Sequence, residues 1–163
     1  MFKPLALIAV LAAFGSASAS AADAPAAATS ADNEKVMAQF RDDLQAASAD
    51  IVAKGITLSS DQAAKFWPLF QQYQGEQKTI IDAQLKATQK YGDSLDKLTE
   101  ADALAYVGAL LERDQQIHDL RVKWLKKFQS VVPAGTAARV IQIDRRLGIV
   151  AQIKLAQKIP LVH

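Results

Sequence analysis

From Asp32 onward apolar residues return every three or four positions, the period of a helix with one buried face. Val36, Met37, Phe40, Leu44, Ala47 and Ile51 trace a first stripe, which Lys54-Gly55 ends. A second runs from after Leu58 to about Lys97 through Phe66, Phe70, Tyr73, Ile80, Ala87, Tyr91 and Leu95. Its spacing is close to heptad, but Gln77 and Gln84 interrupt it and argue against a strict coiled coil. The third, Thr99 to Val132, passes through Val107, Leu110, Ile117, Leu120, Trp124, Phe128 and Val131 before Pro133-Ala134-Gly135 breaks it. A fourth, about Thr136 to Ile159, carries Val140, Ile143, Leu147, Val150 and Ile153 and stops at Pro160. The pattern predicts an all-α chain of about four helices. At ~1.5 Å per residue the second and third each approach or exceed ~50 Å, so elongated antiparallel hairpins are expected. Pro68 has no N–H for the carbonyl of Ala64, which predicts a kink, or a separate helix starting at Trp67-Pro68.

Two helix starts share one local chemistry. In Leu58-Ser59-Ser60-Asp61-Gln62, Ser59 can accept from the Gln62 N–H while the Gln62 side chain reaches back to the Ser59 N–H, a capping box. Leu98-Thr99-Glu100-Ala101-Asp102 repeats the form forty residues later with Asp102 in place of Gln. Early acids in both also suit the helix dipole. As local chemistry, these boxes start helices and bind nothing.

The segment before Asp32 reads as an address. Lys3 precedes the apolar run Leu5 to Phe14, and Gly15-Ser16-Ala17-Ser18-Ala19-Ser20-Ala21-Ala22 offers overlapping A-x-A exits. That order is a secretory signal peptide over 1–22, too short to span a bilayer. Asp23 to Ala31, rich in Ala, Ser and Thr, reads as a flexible leader, and 32–163 as a single helical domain. A periplasmic location is expected.

Composition narrows the chemistry. With no Cys, the chain has no disulfide, thiolate metal site or Cys nucleophile. It has two His: His163 is terminal, and His118 shares a helix side with Leu111, Val122 and Leu125, as a buried or boundary residue would. Asp42-Asp43, Asp93, Asp96 and the pair Glu112 and Asp114 read as solvated or Lys-paired surface carboxylates. No glycine-rich phosphate loop, H-E-x-x-H or Gly-x-Ser-x-Gly occurs, so neither catalytic residues nor a cofactor or metal is expected. Charge is uneven: Asp23 to Glu112 holds 8 Lys+Arg against 14 Asp+Glu, net −6, whereas Arg113 to His163 holds 10 against 3, net +7. Either helices of opposite sign attract within a bundle or dimer, or the basic part meets a partner. Nucleic acid is not expected for an exported chain.

The paired boxes, in a small, Cys-free, exported helical chain, resemble the Spy/CpxP family of periplasmic proteins, which includes ATP-independent chaperones and envelope-stress regulators. The resemblance covers about Asp32 to Val132, with Ser59 standing for Thr and Asp102 for Gln. It implies a thin antiparallel helical homodimer with a concave face for clients. Arg139 to Val162 looks like a C-terminal region of uncharacterised relatives, and its helix could cover such a face. The expected partners are unfolded or stress-signalling proteins, or, for a sensor-adaptor, a membrane signalling protein. Candidate contacts are Arg121, Lys123, Lys126 and Lys127 around Trp124 and Phe128, with Arg139, Arg145 and Arg146 on the next helix. Taken residue by residue, Trp124 and Phe128 read as core with a solvated cationic rim, and it is the resemblance that makes them candidate contacts; charge reversal at 121, 123, 126 and 127 is expected to leave the fold intact. The signal reading predicts a mature N-terminus between Ser20 and Asp23, which mass spectrometry of the envelope fraction will show; intact Met1 in the cytosol would refute it.

Overall fold

The computed structural model of the chain describes residues 45–162. The expected signal peptide, the leader, the start of the first helix, Asp42-Asp43 and His163 lie outside them. The described elements are helices: α1 over 45–55, α2 Ser60–Ser94, α3 Glu100–Gln129 and α4 Ala134–Ala156, with one 3-10 turn at Leu95–Lys97. The all-α expectation is met.

Local chemistry explains the boundaries. Ser59 is extended, its hydroxyl accepts from Gln62 N–H at 3.3 Å, and its own N–H donates to Gln62 Oε1 at 3.0 Å. The reciprocal box at α2 is therefore complete. At α3 it is not: Thr99 Oγ1 accepts from Asp102 N–H at 3.1 Å, but its hydroxyl donates to Asp102 Oδ2 at 2.6 Å. Asp102 is one methylene shorter than Gln62's equivalent reach would need, so it takes the hydroxyl proton in place of the backbone N–H. Pro133, at ψ 145°, ends the α3–α4 connection, and α4 starts directly after it, inside the stretch expected to break helices. The Pro133 carbonyl accepts from Ala137 N–H, so proline serves as the residue that opens the helix.

Pro68 does not divide α2, which runs unbroken from Ser60 to Ser94, and the reading of a separate helix at Trp67-Pro68 is corrected. Ala64 and Pro68 are both exposed, so water can reach the carbonyl that lacks its helical donor.

Side-chain pairs establish the directions. Gln45 and Gln74 each donate a side-chain amide to the other's backbone carbonyl, at 3.0 and 2.9 Å, tying α1 antiparallel to α2 across a short turn. Tyr73 meets Trp124 while Tyr91 stacks on Tyr106 at 4.2 Å, so α2 and α3 are antiparallel over their length. Gln77 bonds Asp144, Gln84 bonds Gln152, and Tyr91 bonds the Pro160 carbonyl, so α4 runs parallel to α2. These three links leave α2 at seven-residue intervals. The glutamines that interrupt the apolar stripe are thus the seam that receives α4.

The core is concentrated at one end. Phe66, Phe70, Tyr73, Trp124 and Phe128 are essentially inaccessible and stack within about 5–6 Å of one another, closed by Val52, Val132, Ala137 and Val140. Each such burial is worth roughly 1.5–3 kcal/mol. Gly55 belongs to this end, since a Cβ there would lie 2.5 Å from Ile143 Cδ1. Beyond Tyr73 the only buried residues of α2 are Gln84 and Tyr91; α3 has none before Ile117, and α4 none after Asp144. Val107, Leu95, Val150 and Ile153, expected on buried stripes, are 39–54% exposed, because no described helix lies over them. Ser59→Ala and Thr99→Ala should each cost on the order of 1 kcal/mol, read from urea unfolding.

Candidate functional site

The residues expected to form one basic binding face are dispersed, and several are consumed by the fold. Trp124 and Phe128 are fully buried in the aromatic core and offer a partner no surface. Trp124 Nε1 donates to Glu76 Oε2 at 3.1 Å, Lys123 Nζ donates to the same oxygen at 2.7 Å, and Lys127 Nζ stands 4.0 Å above the indole. The Lys123 hydrogen bond holds the Glu76 carboxyl below the usual carboxylate range. The lysine stems therefore roof the core as they reach water. Lys126, Arg139, Arg145 and Arg146 are exposed.

Arg121 turns the other way. Its Nε donates to Asp144 Oδ2 at 2.8 Å, while Gln77 Nε2 donates to Asp144 Oδ1 at 2.8 Å. Asp144 is 4% exposed. Tyr73 adjoins the cluster, and burial, followed by the Asp144 charge, pushes its hydroxyl pKa upward and keeps it protonated. One residue from α3, one from α4 and two from α2 thus share a buried polar junction. Gly148 makes room for it, because a Cβ there would sit 3.0 Å from Arg121 Nη2. Charge reversal at Arg121 would bury two like charges, so the expectation that the fold tolerates it is corrected. Sequence reasoning missed Asp144, which lies one helical turn beyond Val140 on the buried stripe; that placement, with Gln77, was the available signal. One heptad on, Gln84 and Gln152 exchange amide hydrogen bonds at 2.8 and 3.1 Å.

Outward from this junction, α3 and α4 enclose an open groove of about 630 Å³, lined by Ile117, Val122, Leu125, Ile141, Ile149 and Ile153 with Arg113, His118 and Arg145. His118 is exposed, which corrects its reading as a buried or boundary residue. The helix side it shares with Leu111 and Val122 faces outward. Leu104 is 74% exposed, Leu111 65% and Val122 47%, so α3 presents a second apolar stripe at spacings of seven and eleven residues. A helix buries this stripe only if something packs against it.

Few ion pairs among the described residues cross the charge split. Among the described residues, Lys123–Glu76 is the one ion pair joining the acidic part to the basic part. Arg121–Asp144 and Arg113–Asp114 lie within the basic part, and Lys90–Asp102 within the acidic part. Arg139, Arg145, Arg146, Lys154 and Lys158 have no carboxylate partner among the described residues. Among the described residues no group of three or more His, Asp or Glu is placed to hold a metal ion, and no helix is long and apolar enough to cross a membrane. No protein-family model matches the chain, and no curated protein or solved structure matches it.

Asp144→Ala should cost about 1–3 kcal/mol by leaving the partly buried Arg121 without its counter-ion and Gln77 without its acceptor. The double variant Asp144→Ala/Arg121→Met should recover most of that, since it removes both charges together. Chemical unfolding of the two variants checks the pair.

Proposed function

We propose that this chain is a periplasmic, ATP-independent chaperone or stress-response protein of Spy/CpxP type that holds non-native polypeptides on the outer face of α3. The carrying observation is the exposed stripe of Leu104, Leu111 and Val122 beside the α3–α4 groove. Large aliphatics at helical spacing, left open along about 27 Å of helix, suit apolar segments of differing sequence better than one rigid ligand. Arg145, which lines the groove and has no ion-pair partner among the described residues, would speed encounter with acidic clients. The stripe also allows a homodimer through α3, which would compete with clients for the same surface. Helix α4 lies along the seam of α2 and leaves the α3 stripe uncovered.

Suppression of client aggregation, measured by light scattering without nucleotide, tests the proposal. Leu104→Ser/Leu111→Ser/Val122→Ser should leave helicity unchanged, because these side chains are already exposed, and reduce suppression by at least about fivefold, a loss of roughly 1 kcal/mol of client affinity. Full suppression by that variant would remove the α3 face from the reading. Capture of a single stoichiometric envelope protein, without suppression, would favour the sensor-adaptor.

A further inference from the structure

Helix α4 carries a surface that the α3 stripe does not explain. From Ala134 to His163 the basic side chains are Arg139, Arg145, Arg146, Lys154 and Lys158, and the only acidic one is Asp144. Asp144 is buried and already bonded to Arg121 and Gln77. The exposed surface of this region is therefore cationic without an exposed acidic side chain, and its five cations have no ion-pair partner among the described residues. Between them Ile149, Val150 and Ile153 stand 47%, 51% and 54% exposed, and Leu161 83%. The 20 residues from Arg139 to Lys158 cover roughly 30 Å at helical rise, although the last of them lie in the turn beyond α4.

The geometry points to an anionic lipid bilayer as the occupant of this face, with α4 lying in the plane of the headgroups. Charge complementarity decides among the candidates. A second copy applied to the same face would set its five cations against these five, so self-association here is repulsive. A bilayer offers negative charge at every headgroup along the length of the helix, and its acyl boundary accepts the aliphatics that interrupt the cations. Few aliphatics are available, so attachment is reversible and depends on charge. Arg145, Ile149 and Ile153 also line the groove beside the α3 stripe, but the inference is tested apart from the client-binding proposal, because its variants leave Leu104, Leu111 and Val122 unchanged and its readout is vesicle binding, and it does not depend on compartment.

Vesicle co-sedimentation of the chain as isolated from its producing cell provides the test. Every variant shares the same N-terminus, so differences between variants read α4 alone. Binding is expected to phosphatidylcholine vesicles containing phosphatidylglycerol, to fall steeply with salt, and to be weak for phosphatidylcholine alone. Arg145→Glu/Arg146→Glu should lower partitioning at least about tenfold, and Ile149→Ser/Ile153→Ser should lower it at unchanged salt dependence, both with normal circular dichroism. Lys65→Glu/Lys86→Glu, the same charge change on exposed α2 positions, should have little effect. Equal binding to both vesicle types, equal loss in the α2 control, or binding of an acidic amphipathic peptide with none to anionic vesicles would each overturn the inference.

Discussion

Asp144 forms the contact through which the fourth helix is held to the third, by Arg121, and to the second, by Gln77. A carboxylate withdrawn from water is costly unless its charge and lone pairs are met, and here a guanidinium from α3 and an amide from α2 meet them. The pair can form in only one arrangement of the three helices. Apolar packing alone would tolerate a slide of α4 along its neighbours; a buried ion pair does not, because a slip of one turn would leave both charges unpaired. Gly148 follows from the same requirement, being the residue over which the Arg121 guanidinium lies.

Stability and availability are divided along the length of the molecule. Aromatic packing, the two short interhelical connections and the polar junction sit at one end. Toward the other, burial is reduced to Gln84 and to Tyr91 stacked on Tyr106. A rigid end can hold long helices in place while their far portions expose aliphatic side chains. Cooperative units with few buried contacts open most readily, so the exposed surfaces of α3 and α4 lie where rearrangement is least costly.

The two outward surfaces differ in chemistry. On α3 the stripe is aliphatic, whereas on α4 aliphatics are interleaved with cations that have no ion-pair partner among the described residues. The net charge of the whole chain conceals this, because the acidic and basic parts nearly cancel in the sum.

Helix number, approximate bounds and both helix starts were legible in the sequence, because they depend on interactions within four residues: apolar period, capping hydroxyls, glycine and proline. The aromatic stripe Phe66, Phe70, Tyr73 and its counterpart Trp124, Phe128 were legible for the same reason. What the sequence left open was which of two apolar sides of α3 would be covered, since Ile117, Leu120 and Trp124 on one side and Leu111, Val122 and Leu125 on the other both satisfy helical spacing. Only the docking of α2 and α4 decided that, burying the first set and leaving the second largely exposed. Tertiary structure likewise turned Gln77 and Gln84 from interruptions into the seam for α4, and took Arg121 out of a surface basic cluster. A side chain's partner seventy residues away leaves no periodic mark, and burial of a charge is a property of the assembled helices and not of any one of them.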